Sequence, residues 1–163
     1  TTQDQKAAAL RLWTGEVLPD WLDYNGHMTE HRYLQVFGES SDAIYGHIGV
    51  DFANAGAGAY FTLSTHIWHR AECKVGTSLW SETEILGHDP RFIHLFHRLF
   101  DKDGKLLAEG EHLVIHVQNG KSCPAPAKMR ETVAEIFEAQ RSLPVPEGSG
   151  KVLARPLAHN RLA

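Results

Sequence analysis

The chain has 163 residues, of which 42% are hydrophobic and 22% are charged, and its formal net charge is −4 at pH 7. This mild acidity excludes the strongly basic balance that is typical of nucleic-acid binders, and no apolar run approaches the roughly 18 residues that a membrane span requires. We therefore expect neither a nucleic acid nor a membrane as a partner.

One domain over residues 1–163 is predicted, because this length suits a single core. We expect its core at about residues 13–120, with a C-terminal helix and tail at residues 121–163. The two cysteines, Cys73 and Cys123, form neither a CxxC pair nor a metal-ligand spacing. This usage favours free thiols in a reducing compartment, so we predict a cytoplasmic protein.

The first part of the chain predicts a short strand, a loop and a long helix. Residues 13–17 have strand character, and Asn25-Gly26 marks a turn inside a loop over residues 22–28. Thr29 is a candidate N-cap whose hydroxyl could accept a backbone N–H. Apolar residues recur at spacings of three, four and seven after it, which predicts a helix over residues 29–46.

Strand-like segments make up the middle of the chain, and they cover residues 59–70, 78–86, 92–100 and 106–118. Turn-forming residues at 87–90 and 101–104 join the last three of them. Long consecutive strands with tight turns predict an antiparallel meander.

The C-terminal part predicts a short amphipathic helix over residues 128–140. From residue 143 onward the chain is rich in Pro and Gly, and we expect a loose tail or an arm that wraps around another subunit. One helix cannot cover all the apolar strand residues, among them Trp80 and Phe96. We therefore predict an α+β fold that forms a homodimer or a higher homo-oligomer.

The densest group of candidate functional residues lies at positions 23–30, directly before the long helix. It contains a carboxylate at Asp23, an amide at Asn25 and an imidazole at His27. A helix N-terminus offers N–H groups that can stabilise the oxyanion of an attacked carbonyl, and a nearby carboxylate can attack that carbonyl or deprotonate water. The alternative is that Asp23 and Asn25 only shape a turn, which composition alone favours.

A resemblance to a known family covers about residues 13–120. Residues 21–28 (WLDYNGHM) and 33–37 (YLQVF) resemble the 4-hydroxybenzoyl-CoA thioesterase branch of the hotdog superfamily. Stretches at residues 65–66, 94–98 and 110–111 are similar to the betainyl-CoA thioesterases of carnitine breakdown. The resemblance implies a hotdog fold, in which a five-stranded antiparallel sheet wraps around the long helix.

The resemblance also implies an activity, which is hydrolysis of an acyl-CoA without an organic cofactor or a metal. Asp23 matches the catalytic carboxylate of the family, and Asn25 and His27 match motif positions that order the loop and the water. Glu30 matches the position whose backbone N–H polarises the thioester carbonyl. Two rival functions remain open: a hotdog enoyl-CoA hydratase, whose motif differs at Gly26 and His27, and a non-catalytic acyl-CoA binding protein.

The substrate-binding candidates follow from the chemistry of betainyl-CoA. A trimethylammonium group is recognised by aromatic faces, and the candidates are Tyr24 together with Tyr60 and Trp68, which we predict to share a strand face with His66. Glu111 is a candidate carboxylate near them. Ordinary packing is the alternative for each aromatic residue.

Cations for the phosphates of CoA are expected among three residues that follow the last strand: Lys121, Lys128 and Arg130. Their alternative is a solvated surface. The chain also has eleven histidines, but those three apart on a strand point to opposite faces, so we predict no metal site.

Overall fold

The computed structural model describes residues 7–151 and 157–162 and has an α+β architecture. Its long strands are β1 (Leu10–Glu16), β2 (Ala59–His69), β3 (Ser78–His88), β4 (Phe92–Asp101) and β5 (Leu106–Gln118). Two short strands, β6 (Lys121–Ser122) and β7 (His159–Asn160), pair at the margins of the sheet. The helices are α1 (Glu30–Ile48) and α2 (Ala127–Gln140), and short 3₁₀ turns lie at Pro19–Trp21 and Ala55–Ala57. These elements confirm the predicted hotdog arrangement of a long helix on an antiparallel sheet.

The five long strands lie in the order β1-β3-β4-β5-β2, and every neighbouring pair is antiparallel. The predicted meander is therefore confirmed only for β3, β4 and β5. It is wrong for β2, which pairs with β5, because the connection over residues 70–77 is too long for a tight hairpin and carries the chain to the other side of the sheet. We call residues 70–77 the crossing segment.

Helix α1 packs on one face of the sheet, which we call the inner face. Phe37 is fully buried there, and Gly110 of β5 permits its close approach, since a Cβ at Gly110 would lie 2.8 Å from the Phe37 ring. The helix ends at Gly49, whose φ of 108° is accessible to glycine. Helix α2 packs Met129, Val133 and Phe137 into a second cluster, which contains Ile44 and Ile48 of the later part of α1. No described helix is long and apolar enough to cross a membrane.

A β-bulge divides strand β2 into two halves that present different residues to the inner face. The register against β5 shifts between Thr62 and Ser64, and a bulge of this kind exchanges the faces of all residues beyond it. Tyr60 therefore lies on the inner face, where its ring stacks on Tyr45 of α1 at 5.2 Å. The prediction that Tyr60 shares a face with Trp68 is wrong for this reason.

The opposite face of the sheet, the outer face, is covered by residues 143–151 and 157–162, which we call the C-terminal arm. Arg161 is buried and its guanidinium lies 2.9 Å from Glu84 of β3. The Gly150 N–H donates to Glu111 of β5 at 2.6 Å, and Phe96 beneath the arm is only 1% exposed. The described part of this segment is thus not a loose tail, and residues 1–6, 152–156 and 163 lie outside the described residues.

Candidate active site

The loop before α1 is shaped by Asp23. Its Oδ1 accepts the N–H of Asn25 at 2.8 Å and the N–H of His27 at 3.2 Å. The backbone closes the same turn, because the Asp23 N–H donates to the His27 carbonyl and the Gly26 N–H donates to the Asp23 carbonyl. The turn interpretation therefore accounts for one carboxylate oxygen. Within the described residues Oδ2 has no hydrogen-bond partner, so this oxygen is free for chemistry.

The crossing segment holds this loop from the other side. The Met28 N–H donates to the Cys73 carbonyl at 2.9 Å. The backbones of His27 and Lys74 form a single antiparallel β-bridge. Met28 and Cys73 are both buried. A loop bound on both flanks loses little further entropy when a substrate docks, which is the arrangement that precise positioning requires.

Helix α1 begins at Glu30, so the loop delivers the chain directly to a helix N-terminus. Thr29 occupies the N-cap position, but within the described residues its side chain makes no cap, and the predicted hydroxyl cap is wrong. The first N–H groups of any α-helix lack intrahelical partners. Here they include those of Glu30 and His31, which can donate to an oxyanion at the positive end of the helix dipole.

A cavity of about 420 Å³ opens beside this helix end, and we call it the N-terminal cavity. Its lining combines aromatic, acidic, basic and apolar side chains, among them Met28, Glu30, Tyr33, His69, Arg70 and Glu72. A second cavity of about 460 Å³ shares Glu30 and His69 with it. Both cavities are open to solvent at the start of α1.

Tyr33 lines the N-terminal cavity, and the buried Cys73 thiol lies next to its hydroxyl. The Tyr33 hydroxyl donates to the Ala71 carbonyl at 3.3 Å and lies 3.9 Å from the Cys73 sulfur. Burial, followed by the neighbouring Cys73, Glu72 and Asp23, raises the pKa of Tyr33 above its ordinary value. Burial likewise raises the pKa of the Cys73 thiol. A neutral thiol is a poor nucleophile, so Asp23 is the better candidate for attack.

Glu72 connects the crossing segment to the loop. Its Oε2 lies 3.4 Å from His27 Nε2, and its side chain is 77% exposed. An ion pair of this exposure contributes little to stability. Nothing in the sequence pattern marked Glu72 as a site residue, because it enters the site through the long connection between β2 and β3.

The structure does not bring the predicted aromatic residues together within one chain. Tyr24 lies at the tip of the loop and is 96% exposed. Tyr60 packs on the inner face, as described above, whereas His66 and Trp68 lie together on the outer face with their ring centroids 4.3 Å apart. The predicted aromatic wall of Tyr24, Tyr60 and Trp68 is therefore corrected: these residues lie in three separate places.

Glu111 belongs to the outer face and is completely buried. Its Oε1 lies 2.6 Å from His94 Nε2 and also accepts the Gly150 N–H. Glu84 nearby is held by two guanidiniums, those of Arg98 and Arg161. These contacts attach the C-terminal arm to the sheet, so Glu111 acts in packing within this chain and lies away from the N-terminal cavity.

The predicted cations lie at the far end of α1. Lys121 is in β6, Lys128 is in the first turn of α2, and Arg130 donates from Nε to the Ala125 carbonyl at 2.8 Å. Lys128 lines a cavity of about 360 Å³ with Gly49, the residue that ends α1. Helix α1 has 19 residues and therefore spans about 28 Å, with the Asp23 loop before its first residue and Gly49 after its last, so Lys128 is remote from Asp23 within one chain.

Two further histidines lie under α1. His97 is fully buried between the hydroxyls of Ser41 and Thr83, at 2.9 and 2.8 Å. His112 packs beside it at 5.1 Å between ring centroids. Burial lowers the pKa of His97 well below its ordinary value and that of His112 to about 4. Both rings are therefore neutral near pH 7.

Among the described residues no group of three side chains could hold a metal ion.

Comparison with known proteins gives one family. Residues 17–137 match the family model described as "Thioesterase-like superfamily". A curated protein of Rhizobium meliloti (strain 1021), named L-carnitine dehydrogenase/betainyl-CoA thioesterase, is 45% identical over 146 residues, which cover 87% of this chain and 29% of that protein. The betainyl-CoA thioesterase of Pseudomonas aeruginosa is 39% identical and covers 86% of this chain and 91% of that protein.

The chain spans between 28% and 30% of the length of the first three curated relatives, all of which carry the double name. Among solved structures, a candidate thioesterase from Pseudomonas putida KT2440 superimposes with a TM-score of 0.78 at 31% identity, and the match covers 91% of this chain and 98% of that one.

Proposed function

The chain belongs to the thioesterase-like superfamily, and from that premise we propose that it hydrolyses an acyl-CoA thioester, with betainyl-CoA as the substrate. One observation carries the proposal. The Asp23 carboxylate is held in a tight loop that leads into α1, with one oxygen engaged by backbone N–H groups, and a cavity open to solvent is lined by Met28 of the same loop and by Glu30 at the start of the helix.

The reaction follows from this geometry. The thioester carbonyl binds against the N–H groups at the start of α1, which stabilise the negative charge that develops on its oxygen. Asp23 Oδ2 then either attacks the carbonyl carbon or removes a proton from an attacking water. The C–S bond breaks, and CoA leaves as a thiol after protonation. On the first route the acyl group remains on Asp23 as a mixed anhydride, which a water molecule then hydrolyses. On the second route the attacking water supplies the new oxygen directly, so both routes release a carboxylic acid. His27 contributes the backbone N–H that keeps Asp23 in place.

We propose that a homodimer completes the CoA site. Strand β2 is the end strand of the described sheet, and its side chains Phe61 and Leu63 are 59% and 48% exposed. Two β2 strands that pair antiparallel about a two-fold axis would place the far end of one α1 beside the near end of the other. The basic cluster of one copy, Lys121, Lys128 and Arg130, would then lie next to Asp23 of the other copy, where the CoA phosphates need cations.

The relatives named betainyl-CoA thioesterase support the choice of acyl group. The test is a panel of betainyl-, 4-hydroxybenzoyl-, butyryl- and crotonyl-CoA, with released thiol measured by DTNB. We expect the highest kcat/KM with betainyl-CoA. Equal rates across the panel would remove the betainyl assignment and keep the thioesterase.

The two rival functions give different results in the same panel. A hydratase would convert crotonyl-CoA without releasing thiol. A binding protein would retain CoA esters without turnover. Either result would overturn the proposed hydrolysis.

A further inference from the structure

We infer that Glu72 and Glu30 select the cationic end of the acyl group, with the rings of Tyr33 and His69 as the aromatic walls beside it. The inference rests on the proposed hydrolysis of betainyl-CoA, and it names the residues that would give that reaction its specificity. None of these four side chains belongs to the attacking machinery described above.

The covalent structure of the substrate restricts where its cation can bind. In a betainyl group one methylene joins the quaternary nitrogen to the thioester carbonyl carbon, so these two atoms are about 2.5 Å apart by ordinary bond lengths and angles. Once the carbonyl is bound at the start of α1, the trimethylammonium must lie within one side chain of that helix end. Trp68 lies on the outer face, and Tyr60 lies at the end of β2 that is far from the start of α1. Within one chain neither ring can therefore contact a trimethylammonium group at that helix end.

The N-terminal cavity has the lining that such a group needs. Glu30 is the first residue of α1, and Glu72 faces it from the crossing segment. Tyr33 and His69 contact each other edge to face, with ring centroids 4.9 Å apart. A trimethylated nitrogen donates no hydrogen bond, so it is held by aromatic faces and by carboxylates at van der Waals distance.

The charges around this cavity favour a cation in spite of the helix. The positive end of the α1 dipole by itself would repel an ammonium group. Two carboxylates oppose it, of which Glu72 also lies 3.4 Å from His27 Nε2, and Arg70, the arginine in the lining, is paired with Glu109 at 3.1 Å. The cavity can thus bind an oxyanion at the backbone N–H groups and a cation at the side chains a few ångströms away.

The test compares two acyl groups of one shape and different charge. Betainyl-CoA and tert-butylacetyl-CoA differ only in the quaternary atom, which is nitrogen in the first and carbon in the second. The variants are Glu72→Gln, Glu30→Gln and the double variant, each of which keeps the size of the side chain and removes its negative charge. The control is Glu135→Gln, which removes the same charge from the exposed side of α2, and thermal melts verify folding.

We expect each cavity variant to lower kcat/KM for betainyl-CoA by about 5-fold, the upper range for an exposed ion pair, and the double variant by more. In the Glu72→Gln protein the neutral ester should change by less than about 2-fold, and Glu135→Gln should change neither ester. Equal losses on both esters would overturn the inference and show that Glu72 acts by orienting His27. Unchanged rates on both esters would overturn it as well.

A second measurement is independent of turnover. Thioether analogues of the two esters, which lack the carbonyl, are titrated into each variant by calorimetry. Selective weakening of the cationic analogue in the Glu72→Gln protein would support the inference, and equal affinities would overturn it. If the unaltered protein releases no thiol from any ester, the proposed hydrolysis fails, and this titration still decides whether the cavity selects a cation.

Discussion

Replacing Asp23 with Asn separates the two tasks of this carboxylate. Asn retains an oxygen at the position of Oδ1, which can still accept the N–H groups of Asn25 and His27. It replaces the free Oδ2 with an amide nitrogen, which can neither attack a carbonyl nor accept a proton. The loop should therefore keep its shape while the chemistry is removed.

The magnitudes differ enough to tell the two effects apart. Converting two charge-assisted hydrogen bonds of a partly exposed loop into neutral ones costs about 1 kcal/mol, which corresponds to roughly 5-fold in an equilibrium. Losing a general base or nucleophile lowers the rate by about 10²- to 10⁴-fold, or roughly 3 to 5 kcal/mol. A loosened loop alone cannot produce the larger loss.

The assay is thiol release from betainyl-CoA under single-turnover conditions, with circular dichroism melts of both proteins. We expect Asp23→Asn to lose at least about 10²-fold in rate and to unfold within a few degrees of the unaltered protein. Asp23→Ala, which removes both oxygens, is the comparison for the loop. Near-normal turnover of a folded Asp23→Asn protein would refute the assignment of the reaction to this carboxylate.

Two further predictions concern the scaffold. The pKa of His97 and of His112 is lower in the folded chain than the ordinary 6.5, so the unfolded chain binds more protons below that pH. For His112, whose pKa is about 4, the free energy of unfolding should fall by roughly 1 to 2 kcal/mol between pH 6.5 and pH 5, and His97 adds to the fall in the same direction. Urea titrations at these pH values measure the fall, which a flat profile would contradict and which His112→Asn should reduce. Leu63→Lys places a charge on the exposed edge of β2 and should convert a dimer to a monomer in light scattering, whereas Leu18→Lys, at a similarly exposed position, should not. A monomeric unaltered protein at micromolar concentration would contradict the dimer.

Local patterns in the sequence predicted most of the elements. Helix α1 runs only two residues beyond its predicted end at residue 46, and β5 has its predicted bounds. These elements follow from apolar periodicity and turn residues, which are properties of neighbouring positions. The loop at Asp23 was found in the same way, because all its residues are contiguous.

The features that sequence reasoning missed depend on contacts between distant residues. The pairing of β2 with β5 and the bulge after Thr62 exchanged the faces of the aromatic candidates. Glu72 enters the N-terminal cavity from a connection that carries no periodic pattern. The position of Glu111 under the C-terminal arm likewise depends on its contacts with His94 and Gly150.

The C-terminal arm has a consequence for how the molecule is made. Glu84 and its partner Arg161 are separated by 77 residues along the chain, so at the usual rates of synthesis Glu84 leaves the ribosome about 4 to 15 s before that partner exists. During this interval the outer face of the sheet, with Phe96 and Glu111, has no cover of its own. A nascent chain with an exposed apolar sheet is a substrate for chaperones and a target for aggregation, so the sheet is protected last although most of it is synthesised early.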